Sequence, residues 1–229
     1  MSRMQKEAAP IQSVGVHVIA ALALLALAAS APGAASAAAA DEAWGAERGF
    51  ALGLQLQTDV IGAEDPGPNA APDQLFIEET GHGATVHVGY TFTPAFALRW
   101  SLGVAGHGTS RDAVEAYHSS SMLEAHWRFL PHERARPYLF GGLGGAVIET
   151  DAELYDSEIR GGAAVLGLGL LCNLTRHLLL DAQGRLDFIN WNEAQLQLEL
   201  PQGGTLELAA PVEDDGGALK FQVGVAWQF

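Results

Sequence analysis

The chain has only two lysines, Lys6 and Lys220, among its 229 residues. It contains 12 basic and 27 acidic residues, which gives a formal net charge of −15. It therefore has no basic patch that could follow a phosphate backbone, which excludes nucleic acid as a partner. The single cysteine, Cys172, can form neither an intramolecular disulfide nor a cysteine-based metal cluster. The sequence motifs also indicate no cofactor, no metal ligands and no catalytic residues.

A long apolar run is also missing. The longest, residues 14–29, is shorter than the roughly twenty residues that a transmembrane helix needs. Two basic residues precede this run and a segment of small residues follows it. This order predicts a secretory signal peptide over residues 1–40, cleaved after Ala37 or Ala40. We therefore expect a mature domain over residues 41–229 that leaves the cytoplasm.

From residue 49 onward, large apolar side chains alternate with small or polar ones. A period of two predicts β-strands with two different faces. The faces of the glycine-rich fifth and sixth strands cannot be assigned from this alternation. The predicted strands are 50–57, 84–92, 96–105, 121–129, 138–148, 163–172, 180–188 and 219–229.

The links between these strands alternate in length. Short links follow the even-numbered strands and long links the odd-numbered ones, which predicts an antiparallel meander with one tight end and one ragged end. The last long link, 189–217, has its own alternating segments on either side of residues 201–204. We expect a hairpin there that extends beyond the main sheet.

The chemistry of the second face decides between a soluble barrel and a transmembrane one. A soluble barrel hides its apolar face, whereas a transmembrane barrel turns that face to lipid and fills its interior with small and polar residues. Here the second face is mostly small, and its charges have both signs, as buried charges need if each is to find a partner. His87 is also expected there, bonded to a carboxylate. The predicted lumen network comprises Arg99, Glu124, His126, Arg128, Asp181, Arg185, Asp187 and Lys220.

Aromatic residues gather beside the short links and at the C-terminus. Such clustering is typical of the girdle of rings at a membrane interface. Together these patterns predict an all-β protein, an eight-stranded antiparallel up-and-down transmembrane β-barrel. The predicted girdle comprises Tyr90, Phe92, Phe96, Trp127, Phe129, Tyr138, Trp227 and Phe229.

Three short motifs occur in the predicted strands. Residues 136–145 contain Pro-Tyr followed by Gly-x-x-Gly, 126–129 end a strand on an aromatic-x-Phe pattern, and the last strand ends in Trp227-Gln-Phe229. These motifs resemble those of the small OmpA/OmpX/OmpW-like outer-membrane β-barrel family, and the last one resembles the C-terminal signal that the β-barrel assembly machinery reads. The resemblance implies an outer-membrane protein of a Gram-negative envelope, with both termini in the periplasm, the long loops outside, and lipid and the assembly machinery as partners.

An eight-stranded barrel is filled by its own side chains, so we expect no open pore. The long links are rich in acid, which favours a structural or surface-interaction role and allows divalent cations such as Ca²⁺ to bind between loops. One alternative is a carrier of small hydrophobic molecules. A lipid A-modifying enzyme is a weaker alternative, for which His118 and Ser120 are the candidate pair.

Overall fold

The computed structural model describes residues 48–62, 77–110, 114–152, 155–199 and 205–229. The predicted signal peptide and its cleavage site lie outside these residues. Within the described ranges, no helix is long and apolar enough to cross a membrane.

Eight strands form a closed ring in chain order, each antiparallel to the next, and β8 pairs with β1. The predicted antiparallel meander of eight strands is confirmed. Short links join the strands at one end of the ring, here called the turn end, and the opposite end is the loop end. The strands are β1 Gly49–Ile61, β2 Ile77–Thr93, β3 Phe96–Thr109, β4 Val114–Arg128, β5 Ala135–Ala152, β6 Tyr155–Asn173, β7 Leu178–Glu199 and β8 Thr205–Gln228.

The strands continue further toward the loop end than the alternation predicts. Most of the residues assigned to long links after β3, β5 and β7 are paired strand. The extension in 189–217 is not a separate hairpin, because β7 and β8 form one ladder with a single irregularity between Trp191 and Glu193. The sequence does not reveal the extensions of β3 and β5, because small or polar residues occupy both faces of these strands there.

Between the turn end and the loop end, each of the eight strands has large apolar side chains on its outward face. We call this surface the apolar belt; Leu56 and Leu143 in it are each 71% exposed. The structure also shows which faces of the two glycine-rich strands point outward, because Leu139 and Leu143 of β5 and Leu166 of β6 belong to this belt. Its exposed members include Leu56, Val88, Trp100, Leu123, Leu143, Leu166, Leu186 and Val223.

Aromatic rings line the turn end. Neighbouring ring centroids lie 4.8 to 6.4 Å apart along a row that runs from β1 to β4. Tyr138 does not belong to this girdle, because the even-numbered residues of β5 face inward and its side chain is buried. The row consists of Phe50, Tyr90, Phe92, Phe96 and Trp127.

The C-terminal strand has a partner along each edge. β8 pairs with β7 on one side and with β1 on the other. The amide of Phe229 donates to the carbonyl of Phe50 at 2.9 Å, and the amide of Gln228 donates to the carbonyl of His177 at 2.7 Å. The chain therefore remains in strand pairing up to its last residue.

Candidate functional site in the barrel lumen

Glu124 on β4 is the centre of the polar network inside the barrel. Its carboxylate accepts hydrogen bonds from Arg99 Nε at 2.9 Å, Arg185 Nη1 at 2.8 Å, Ser101 Oγ at 2.8 Å and His126 Nε2 at 3.0 Å. Glu124 is fully buried. A buried carboxylate is stable only when its charge is paired and its oxygens are hydrogen-bonded, and these four donors meet both needs.

Asp181 on β7 is the second carboxylate of the network. It accepts from Arg99 Nη1 at 3.0 Å, Gln55 Nε2 at 2.9 Å and the Tyr138 hydroxyl at 2.6 Å. The remaining nitrogen of the same guanidinium, Arg99 Nη2, donates to Gln183 Oε1 at 2.6 Å. Arg99 thus joins both carboxylates, using the planar array of donors that only an arginine offers.

A third carboxylate, Asp187, lies nearer the loop end. It pairs with Arg185 Nε at 2.9 Å and with Lys220 Nζ at 3.0 Å. Lys220 Nζ also donates to Ser120 Oγ at 3.1 Å. Because Arg185 also reaches Glu124, the ion pairs form one connected chain from Asp181 to Lys220.

Uncharged amides close the side of the lumen between β8 and β2. Gln222 Nε2 donates to Gln57 Oε1 and to Thr85 Oγ1, each at 2.9 Å. Thr85 Oγ1 donates to Gln57 Oε1 at 2.6 Å, and Gln183 Nε2 donates to Gln222 Oε1. This layer links the seam between the first and last strands to the charged network.

Aromatic side chains fill the remaining space beside the charges. The His126 and Phe140 rings stack with centroids 4.9 Å apart and an interplanar angle of 6°, and Arg99 Cζ lies 5.7 Å from the Phe140 centroid. A Cβ at Gly167 or Gly169 of β6 would overlap the ring of Phe140 or Tyr138, respectively. The glycines that obscure β6 in the sequence therefore make room for these inward rings.

All eight residues of the predicted lumen network point inward, with 0 to 9% of each residue exposed. Arg128 lies apart from the central ion pairs, where its Nη1 donates to Thr91 Oγ1 at 3.3 Å. His87 also faces inward, but its Nδ1 has no hydrogen-bond partner among the described residues. The alternation predicts Gln55, Gln57 and Gln222 on the inward face but does not include them in the network. The buried residues that the sequence analysis does not place in the lumen are Asp59, His107 and Arg136, which fall in predicted links, and Tyr138, which falls in the predicted girdle.

His118 and Ser120 both face the lumen but have different hydrogen-bond partners. His118 Nδ1 bonds Asp59 Oδ2 at 2.6 Å, whereas Ser120 Oγ accepts from Lys220. Ser121 lies on the outer face, where its Oγ accepts from Trp100 Nε1 at 3.1 Å. The geometry does not present an assembled histidine–serine pair at this position.

One group in the described part of the chain has the spacing to hold a metal ion. Asp59, His107 and His118 each offer one ligand atom, and these atoms lie within 4.8 Å of one another. All three residues are buried at the loop end of the lumen.

Of the predicted assembly signal, Trp227 lies on the outer surface of β8 and Phe229 is the last residue of the chain. Phe229 is 62% exposed, and the Trp227 ring stacks on His177 with centroids 5.5 Å apart. Both side chains are at the turn end.

The sequence model of the outer membrane protein β-barrel domain family matches residues 20–229. Neisserial surface protein A aligns with a TM-score of 0.56 at 14% identity, over 79% of this chain and 97% of that one. A major outer membrane protein of Thermus thermophilus has a TM-score of 0.56 at 12% identity, over 79% and 99%. AlkL in lipid bilayers has a TM-score of 0.51 at 16% identity, over 86% and 97%. No curated protein matches the chain.

Proposed function

Because the chain belongs to the outer membrane protein β-barrel family, we propose that it serves a structural and surface-interaction role, with a lumen closed by its own side chains. The protein resides in the outer membrane, and its apolar belt contacts lipid. In this proposal both termini face the periplasm, and the loop end faces outward. The proposal includes no catalytic step.

The main support for a closed lumen is that Arg99 forms ion pairs with two carboxylates. Its guanidinium contacts Glu124 on β4 and Asp181 on β7 at 2.9 and 3.0 Å, so ion pairs cross the interior. The interior of an eight-stranded barrel is only wide enough for side chains or one small ligand. The charged interior also disfavours a carrier of hydrophobic molecules, because such a ligand would need to displace these ion pairs.

Planar-bilayer recording tests the closed lumen. We expect the wild-type barrel to show no steady ion conductance at neutral pH. The Arg99→Ala/Tyr138→Ala double variant removes two of the side chains that cross the interior, and any conductance should appear only there. Stable, step-like channels from the folded wild-type protein would overturn the closed lumen.

The surface role rests on the β7–β8 ladder beyond the apolar belt. Exposed acidic side chains cover its loop end, and Leu206 and Leu208 are exposed beside them. Glu115 on β4 is a further exposed acidic residue, and it accepts a hydrogen bond from the Tyr117 hydroxyl. A negative surface attracts basic partners and repels anionic sugars. The exposed acidic residues of the ladder include Glu193, Glu207, Glu213, Asp214 and Asp215.

Shortening this ladder tests the surface role. Residues 190–215, which include all five of these acidic residues, are replaced by Asn-Gly, because Ile189 pairs with Gly216 and the shortened ladder can close there. Both proteins should migrate as heat-modifiable folded barrels. Only the wild type should bind a basic probe protein, lysozyme, at low ionic strength, and neither should bind heparin. Equal lysozyme binding by the two folded proteins would contradict the role.

A further inference from the structure

We propose that Asp59, His107 and His118 bind a divalent transition-metal cation of the Zn²⁺ class at the loop end of the lumen. Two imidazoles and one carboxylate are a donor set that suits Zn²⁺, and three protein ligands leave a fourth position for water. Ca²⁺ prefers an all-oxygen set. The site is distinct from the acidic surface, since its three residues face the interior and are buried.

Strand register brings the three residues together. Asp59 on β1 pairs with Gly81 of β2, and Gly81 pairs in turn with His107 of β3. His118 lies on β4, two places from the partner of His107, Ala116, and on the same face. Because β2 contributes only a glycine at this level, the carboxylate of β1 can reach the imidazoles of β3 and β4.

The hydrogen bond of His107 to the backbone determines which of its ring nitrogens can bind a metal. His107 Nδ1 lies 3.0 Å from the carbonyl oxygen of Glu78. A carbonyl can only accept, so Nδ1 carries the proton, and in the neutral ring Nε2 holds a lone pair. This bond is the usual support that fixes the tautomer of a metal-binding histidine.

The Nε2 atom of His107 faces a carboxylate oxygen. Its Nε2 is 3.8 Å from Asp59 Oδ2 and has no hydrogen-bond partner in the described ranges. Two acceptors this close in a buried setting repel unless a positive species lies between them. Asp59 Oδ1 and His118 Nε2 are likewise buried without hydrogen-bond partners in the same ranges.

The spacing of the ligand atoms fits a metal of this size. Zn²⁺ binds nitrogen and oxygen at about 2.0–2.2 Å, which puts neighbouring tetrahedral ligands roughly 3.3 Å apart. The His118 Nδ1–Asp59 Oδ2 distance of 2.6 Å and the His107 Nε2–Asp59 Oδ2 distance of 3.8 Å bracket this value. Metal binding through Nδ1 requires the neutral His118 ring to carry its proton on Nε2, so the metal replaces the hydrogen bond between Nδ1 and Asp59, and small side-chain shifts equalise the distances.

Lys220 is the charge that opposes the cation. Its Nζ lies 3.8 Å from Asp59 Oδ2, but it is closer to Asp187 Oδ2, at 3.0 Å, and to Ser120 Oγ. Asp187 therefore offsets the ammonium, and Asp59 keeps its charge for the metal. A Cβ at Gly81 would come 2.5 Å from His107 Nε2, so the glycine leaves this nitrogen accessible.

Equilibrium dialysis of the untagged, folded protein against Zn²⁺ tests the site. We expect one tightly bound equivalent, and at least a tenfold loss of affinity in His107→Gln and in His118→Gln. His132→Gln removes an exposed histidine of a turn and should bind as the wild type does. Co²⁺ should give the intense visible absorption of a four-coordinate nitrogen–oxygen site, and both lumen variants should lose it.

Several results would overturn the site. These are the absence of a tightly bound Zn²⁺ in the wild type, equal affinity in folded His107→Gln and His118→Gln, or Ca²⁺ binding that equals Zn²⁺ binding. Heat-modifiable migration establishes that each variant is folded. Should both histidine variants fail to fold, ¹⁵N NMR of the wild type decides, because His107 doubly protonated at neutral pH in the presence of Zn²⁺ contradicts metal ligation.

Discussion

Arg99 and Asp181 stand on strands four places apart in a ring of eight, and their side chains meet at 3.0 Å. β3 and β7 are thus opposite each other, and the ion pair spans the barrel interior. Backbone hydrogen bonds join each strand to its neighbours in the ring, whereas this ion pair joins strands on opposite sides of the ring. The stability of the barrel should therefore depend on the lumen as well as on the strand ladder.

Replacing Arg99 with leucine should strongly destabilise the protein. The change leaves Asp181 without a charged partner and Glu124 with one guanidinium fewer, which costs about 3–5 kcal/mol for a broken buried pair. Arg185→Leu should have a similar effect, because it removes a partner of Glu124 and Asp187. Urea unfolding in lipid vesicles, followed by tryptophan fluorescence, measures the loss.

Arg160→Leu is the matched control for these two changes. Arg160 is an exposed arginine that pairs with Glu158 on its own strand. Exposed pairs contribute little to stability, so this variant should unfold at the wild-type urea concentration. Equal unfolding midpoints for all of these proteins would refute a stabilising lumen network.

Tyr138→Phe tests the role of a hydroxyl in the lumen. The hydroxyl donates to Asp181 Oδ1 at 2.6 Å and lies 2.9 Å from Gln183 Oε1. Removing it leaves buried acceptors short of a donor and should lower the free energy of unfolding by about 1–3 kcal/mol. Tyr90→Phe makes the same chemical change in the girdle and should have a smaller effect. If Tyr90→Phe is the more destabilising change, Tyr138 lacks the role assigned to it.

Leu143→Arg tests contact between the apolar belt and lipid. Leu143 is exposed midway along the outward apolar run of β5, where arginine should cost about 2–4 kcal/mol in a bilayer. Leu208→Arg makes the same change on the extended ladder beyond the belt. It should be tolerated, as judged by unfolding in vesicles. Equal losses from the two arginines would mean that the belt does not mark the membrane.

Phe229→Ala tests the proposed C-terminal assembly signal. The ring is exposed at the turn end, so its loss removes little packing. We expect less folded, heat-modifiable protein in the outer-membrane fraction of cells, while the purified variant refolds in detergent. Phe221→Ala removes an exposed ring within the belt of the same strand and should assemble normally. Equal depletion of both variants in cells would indicate a general loss of stability instead.

The sequence predicts the fold well because most strands have one face of small or polar side chains and one face of apolar side chains. In β3, Leu98, Trp100 and Leu102 alternate with Arg99 and Ser101, and each set lies on the expected side. The alternation fails in β5 and β6, where glycine carries no information about facing. Tyr138 is predicted in the girdle because it lies beside the second short link, and a tyrosine suits either an interface or a hydrogen-bonded interior.

The cluster of Asp59, His107 and His118 at the loop end is not predicted from the sequence, for a different reason. The predicted strands stop at 57 and 105, and the fourth starts at 121, so Asp59, His107 and His118 all fall in predicted links. Most outward residues there are small or polar, so the alternation that indicates a strand is lost. Only the pairing register brings these distant positions to one face of the lumen.

The seam between β1 and β8, where Leu54 lies opposite Val225, joins the beginning and the end of the barrel sequence. A polypeptide interrupted before β8 would expose the free edges of β1 and β7, and bare amides and carbonyls are not tolerated in hydrocarbon. No shorter fragment can therefore remain in the bilayer as a partial wall. Stable insertion therefore has to follow synthesis of the whole chain. Until then the unfolded protein needs protection from aggregation.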